Sequence, residues 1–147
     1  MSYLGLGGVA GREGTKTARK KWFDRVFEYL DKIGFKGKIH GFGVTAPKLI
    51  EEFPWTSVDS SSWIHGTAHG SLFIYDKNND PKFKSYIVSE LRKKHLENVD
   101  YILERTRVNE IEIEEGDLFE HWTRRLINFN NWLEYVNYLK KKKRRML

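Results

Sequence analysis

Three short apolar runs separated by helical patterns restrict the fold of this chain more than any other feature. Tyr3–Val9 is apolar and glycine-laced, which predicts a strand ending in the tight loop Gly7-Gly8-Val9-Ala10-Gly11. Thr15 then stands as the N-cap of a helix. The apolar positions of that helix, Trp22, Phe23, Val26, Leu30 and Ile33, recur every three to four residues, and Gly34 stops it. Lys38–Gly43 reads as a second strand leaving through glycines, and Thr45 and Pro47 as the cap and first turn of a short helix to about Glu52. Trp55–Val58 reads as a third strand, followed by Asp59 and the hydroxyl run Ser60-Ser61-Ser62. Strands alternating with helices over short connections predict parallel α/β units.

The remainder has a different pattern. Ser71–Tyr75 is expected as a short strand, and Asp76–Asp80 as a turn rich in asparagine and aspartate. Asp80-Pro81 is expected to open a long helix with the stripe Phe83, Ile87, Leu91, Val99 and Ile102, in which His95 reads as a core or boundary residue. Val108–Glu114 alternates isoleucine with glutamate, as a half-exposed strand should. A last helix is expected from Asp117 into the basic tail. Its stripe of Phe119, Trp122, Leu126, Phe129, Leu133 and Val136 alternates threes and fours, a spacing suited to packing against another helix. The expected division is a partial barrel over 1–75 and a helical extension over 76–147.

Charge narrows the function classes. The net charge of +6 is supplied by the single run Lys140, Lys141, Lys142, Lys143, Arg144 and Arg145; the rest of the chain balances 20 basic against 20 acidic residues. Such a tail attracts polyanions with little regard to sequence, or is simply a solvated helix end that suits the helix dipole. With no cysteine there is neither a disulfide scaffold nor a thiolate metal site. No apolar run approaches the roughly 20 residues that span a bilayer, and the start lacks a basic n-region and a long h-region. A soluble, cytoplasmic protein with no membrane partner is expected.

Each candidate site follows a predicted strand, where parallel α/β folds place their chemistry. The adjacent glycines Gly7 and Gly8 either let backbone amides approach a ligand or only make a tight turn. They form no P-loop, because no Gly-Lys-Ser/Thr ends the segment. Phe42, between Gly41 and Gly43, is either a wall beneath a planar ligand or a core residue. Asp59 is either a carboxylate nucleophile, suited to an anomeric carbon because that transition state is cationic, or the N-cap of a helix beyond it. His65 and His69 have helical ligand spacing, with His40 elsewhere in the chain. Gly66 and Gly70 argue for a loop there, no glutamate completes an H-E-x-x-H motif, and no metal is expected.

Taken in order, Leu6-Gly7-Gly8-Val9-Ala10-Gly11-Arg12-Glu13, Gly41-Phe42-Gly43-Val44-Thr45 with Pro47, and Ser57-Val58-Asp59-Ser60-Ser61-Ser62-Trp63 resemble the late strands of the queuine and archaeosine tRNA-guanine transglycosylases and their DNA-modifying relatives. The resemblance covers about residues 3–75. It implies an α/β chain forming the last three strand-helix units of a TIM-type barrel, followed by a mostly helical C-terminal part. It implies a guanine transglycosylase subunit that exchanges guanine in DNA or tRNA for a 7-deazaguanine through a covalent aspartyl-glycosyl intermediate, with no cofactor. Asp59 would be the nucleophile, Gly7 and Gly8 the loop that reads the base, and Phe42 and Gly43 part of the base pocket; from their chemistry and position alone, not from the resemblance, the hydroxyls of Ser60 and Ser61 are expected to orient Asp59 or bind the sugar-phosphate. The family's zinc site, built on three cysteines and a histidine, is absent here. A full barrel needs about 250 residues and eight units, so a second chain supplying the earlier strands and the general acid/base, or a homo-oligomer, is expected. The competing expectation is a non-catalytic nucleic-acid-binding protein on a degenerate barrel fragment, with Trp132, Tyr135 and Tyr138 stacking on bases before the tail.

Overall fold

The computed structural model describes residues 2–7, 16–79, 82–94, 101–104 and 115–144. The chain is mixed α/β and falls into two compact units, Met1–Ser61 and Ser62–Leu147. The division comes earlier than the one expected after residue 75. Ser71–Tyr75 pairs with Phe83–Ile87 and packs on the C-terminal helix, so it belongs to the second unit.

The first unit contains β1 (Tyr3–Leu6), α1 (Lys16–Lys32), β2 (Lys38–Gly41), α2 (Pro47–Glu52) and β3 (Ser57–Val58). Its strands form a parallel sheet in the order β1-β2-β3, with Gly5 opposite His40 and His40 opposite Ser57. The alternation expected from sequence is therefore present, with shorter strands. Among the described residues the sheet has three strands and does not close into a barrel, so β1 and β3 each keep one unpaired edge.

Helix α1 ends where Gly34 takes φ 67°, a conformation that costs a Cβ-bearing residue about 1–2 kcal/mol. Phe35 N–H donates to the Leu30 carbonyl at 2.9 Å and Gly34 N–H to Asp31 at 2.9 Å, the paired bonds of a Schellman cap. Of its predicted apolar face, Phe23 and Leu30 are buried, whereas Trp22 and Ile33 are exposed. Helix α2 opens on Pro47, but its N-cap is Ala46 rather than Thr45 and makes no side-chain capping bond. The core on this side of the sheet is aromatic. Phe23 meets Trp55 edge-on at 5.0 Å, Phe27 stacks on Phe53 at 5.1 Å, and the Trp55 indole N–H donates to the Leu49 carbonyl at 2.9 Å. Gly41 is required by this packing, since a Cβ there would lie 2.8 Å from Val44 and 3.0 Å from the Trp55 ring.

Period-two alternation assigns the sheet's faces. Leu6, Ile39 and Gly41 are buried toward the helices, while Tyr3, Gly5 and Ser57 are exposed on the opposite face and His40 is half-buried there. That second face is polar and aromatic, not apolar, so its exposure carries no large hydrophobic cost.

The second unit contains α3 (Ser62–Ala68), β4 (Ser71–Tyr75), β5 (Phe83–Ile87), α4 (Val88–Lys94), a 3-10 turn (Glu115–Phe119) and α5 (His121–Arg144). Here the structure corrects several expectations. Residues 83–87 form a strand antiparallel to β4, not the start of a long helix. The aspartate-rich turn favours this: Asp76 accepts from the Asn78 N–H at 2.9 Å and the Asn79 amide at 3.1 Å, folding the chain back so that Phe83, Tyr86 and Ile87 pair with β4. Residues 62–68 are helical despite Gly66, because α3 packs so closely on β4 that a Cβ at Gly66 would collide with the Phe73 ring; Gly70, at φ 72°, turns the chain into the strand. Leu72, Ile74, Val88, Leu91, Ile102, Leu118 and Ile127 form the core. Thr15, Asp80, Pro81, His95, Val99 and the strand expected at Val108–Glu114 lie outside the described residues.

The free edge of β4 is closed by two buried asparagines of α5. Asn128 Oδ1 accepts from Phe73 N–H at 2.8 Å while its Nδ2 donates to the Ser71 carbonyl at 3.1 Å. Asn131 Oδ1 accepts from Tyr75 N–H at 2.8 Å. A side-chain ladder thus replaces a third strand.

Candidate active site

The carboxylate of Asp59 lies just past the C-terminal end of β3, beside the turn that follows β2. Asp59 N–H donates to the Gly41 carbonyl at 3.1 Å and Phe42 N–H to the Leu6 carbonyl at 2.8 Å, so backbone bonds hold the three strand ends in register. Gly43 adopts φ 68°, and in that left-handed turn its N–H donates to Asp59 Oδ1 at 2.8 Å. The second glycine of the Gly-x-Gly pair thus fixes the carboxylate. Oδ2 lies 3.6 Å from His40 Nε2, an ion pair whenever the imidazole is protonated. The side chain remains 57% exposed.

His40 is fixed from its other side by Ser57, whose Oγ is 2.8 Å from Nδ1, and Ser57 Oγ is 3.1 Å from the Tyr3 hydroxyl. With the neutral ring protonated on Nε2, the two hydroxyls make a continuous donor row. Tyr3 O–H donates to Ser57, Ser57 O–H donates to Nδ1, and Nε2–H points at Asp59. Phe42 closes the group, its ring edge-on to His40 at 4.5 Å and 53% exposed. The ring lies over Gly5, where a Cβ would come within 2.6 Å of it, and beside Gly7, where a Cβ would be 3.3 Å from Phe42 Cβ. Phe42 is therefore a surface ring on the polar face of the sheet and not a core residue.

Of the residues expected from sequence, Asp59, Phe42, Gly43 and Gly7 come together. Ser60, half-buried, and Ser61, exposed, follow Asp59 directly in the chain. Gly8 lies outside the described residues. Tyr3 and Gly5 belong to no motif, and Ser57 opens the third motif without an assigned role; the signal that locates them is strand alternation combined with the parallel register, which puts them on His40's face. His65 and His69 are exposed in the second unit, and among the described residues no group of three His, Asp or Glu could hold a metal ion.

Residues 140–144 of the basic run form the end of α5. Lys140 and Lys141 are exposed, and Lys142 Nζ lies 5.9 Å from the Tyr138 ring centre. The side chains of Lys143 and Arg144, and all of Arg145, lie outside the described residues. The aromatics before the run pack within their own unit: Trp132 stacks on Phe83 at 4.4 Å, Tyr135 is fully buried against Tyr75, and Tyr138, half-buried, stacks on Tyr135. No described helix is long and apolar enough to cross a membrane. Comparisons with protein-family models, with curated proteins and with solved structures find no match to this chain.

Proposed function

We propose that this chain is the nucleophile-bearing subunit of a nucleic-acid guanine transglycosylase. The observation that carries the reading is an exposed carboxylate at a parallel-strand terminus, pinned through one oxygen by the Gly43 amide at 2.8 Å and flanked by an exposed aromatic ring. Oδ2, the oxygen the amide does not hold, attacks the C1′ of a guanosine unit. The C1′–N9 bond breaks, its electron pair leaves with guanine, and the departing base takes a proton from a general acid. Asp59 is then joined to C1′ as an ester. A 7-deazaguanine that has lost its N9 proton attacks C1′, restores a glycosidic bond and releases the carboxylate.

Phe42 offers one face of a stacking site for either base, and the amide bond keeps the nucleophile from rotating between the two displacements. On this reading the general acid and the groups that read the base edge come from outside the described residues. A further polypeptide carrying the preceding strands supplies them, and its strands pair with the open edges of β1 and β3. The exposed lysines at the end of α5 add affinity for the phosphate backbone.

The test is nucleoside mass spectrometry of DNA and tRNA from cells carrying the wild-type gene, Asp59→Asn or Asp59→Ala. Both variants should abolish the 7-deazaguanine nucleoside while leaving nucleic-acid binding intact, and the substrate is whichever polymer loses the modification. Unchanged nucleosides in both polymers would refute the enzyme reading and favour a binding protein.

A further inference from the structure

Helix α5 carries residues buried within its unit on one face and, on the opposite face, an apolar row that the unit covers only in part, with Phe129 against Trp63 and Leu126 half-buried. Ile127, Asn128, Asn131 and Tyr135 are buried against the hairpin and the core. The other face is the run Trp122, Leu126, Phe129, Leu133, Val136 and Lys140, whose intervals of four and three are the a/d positions of successive heptads. Trp122 is 72% exposed, Phe129 48% although it leans on Trp63, and Leu133 45%. Single exposed apolar residues are ordinary, but an unbroken seam about 27 Å long is not.

We propose that this seam is a dimer interface, in which α5 pairs antiparallel with α5 of a second copy. Heptad spacing specifies the occupant as a helix, because knobs at this period fit only holes of the same period. Charge specifies a second copy and its direction. Each copy carries exposed Asp117 and Glu120 before the seam, half-buried Arg125 at its start beside Arg124, whose guanidinium is taken up by the Thr67 and Leu118 carbonyls, and exposed Lys140 and Lys141 at its end. A parallel pair sets two basic ends side by side; an antiparallel pair sets each basic end beside the other copy's acidic start. The register that uses the whole seam places Leu126 against Val136, Phe129 against Leu133, and Lys140 over the face of Trp122, where a cation is favoured. The seam exposes on the order of 400 Å² of apolar surface per copy, at typical side-chain areas. With its flanking residues this reaches the lower range of specific interfaces, so a dissociation constant in about the micromolar range is expected.

Sedimentation equilibrium on the full chain tests this. The wild type should be a concentration-dependent dimer that weakens as salt rises, and Phe129→Glu should raise the dissociation constant about thirtyfold or more, with an unchanged circular dichroism spectrum. Cross-linking is a second measurement, made clean by the absence of native cysteine. Leu126→Cys mixed with Val136→Cys should form a disulfide, while neither variant alone should, since its own copies would stand about 15 Å apart along the axis. A wild type that stays monomeric at about 100 μM, or homotypic cross-links from each single variant, would overturn the proposal.

Discussion

Replacing Asn128 by alanine should remove about 3–4 kcal/mol from the stability of the second unit. Asn128 is fully buried and serves the open edge of β4 with both ends of its amide, accepting from Phe73 N–H at 2.8 Å and donating to the Ser71 carbonyl at 3.1 Å. Alanine satisfies neither, and Asn128 itself is fully buried over that edge. Each orphaned group costs about 1–3 kcal/mol, so two groups give the stated figure, a large share of the roughly 5–15 kcal/mol that holds a typical domain. Urea unfolding followed by circular dichroism reads the loss, and amide hydrogen exchange locates it. Phe73 N–H should exchange far faster in the variant, whereas Ile39 N–H, in the first unit, should not change. Asn128→Asp refines the test. It keeps the acceptor for Phe73 but loses the donor and buries a charge, which raises the carboxyl's folded pKa above its unfolded value of about 3.9. Its stability should therefore be highest in acid, where the group is neutral in both states, and fall as pH rises through neutrality. A loss below about 1 kcal/mol for Asn128→Ala, with Phe73 still protected, would refute the idea that side-chain amides stand in for a missing strand.

Two more expected outcomes concern the site and the basic helix end. Gly43→Ala places a Cβ at φ 68° and should cost about 1–2 kcal/mol of stability, but because it also re-aims the amide that holds Asp59 it should lower base exchange by more than that loss accounts for; full retention of exchange in a folded variant would remove the carboxylate-positioning role. Truncation before Lys140 should reduce the slope of log binding constant against log salt by roughly 0.7–0.9 for each phosphate that the shortened chain no longer neutralises, measured by fluorescence anisotropy on DNA and RNA, and an unchanged slope would exclude the run from the nucleic-acid interface.

How far the fold can be read from sequence depends on whether local pattern and tertiary pairing agree. They agree in the first unit. Gly34 stops α1 because that turn needs a positive φ, Pro47 opens α2, and Asp59 follows the third strand. They conflict at residues 83–87. Phe83, Ile87 and Leu91 fit a helical stripe, yet the turn at Asp76 delivers Phe83 and Ile87 to the edge of β4, where aromatic and β-branched side chains pair well, and leaves only Leu91 in a helix. They conflict again along α5. The regular stripe is the exposed one, and the face that packs inside relies on two asparagines that no hydrophobic pattern reveals. At the site, the motif residues Asp59 and Gly43 are visible in the sequence. The row of Tyr3 and Ser57 that holds His40 is not, because only the register His40-to-Ser57 puts these side chains together.

The bare flanks of β1 and β3 have a consequence for how the protein is handled as well as for what it does. Outward-facing amides and carbonyls recruit whichever extended segment arrives first, and at high local concentration that segment is another molecule of the same kind. Solubility is then governed by stoichiometry. On the two-chain proposal, balanced co-translation should leave a larger share of the protein in the supernatant than overproduction of this chain alone.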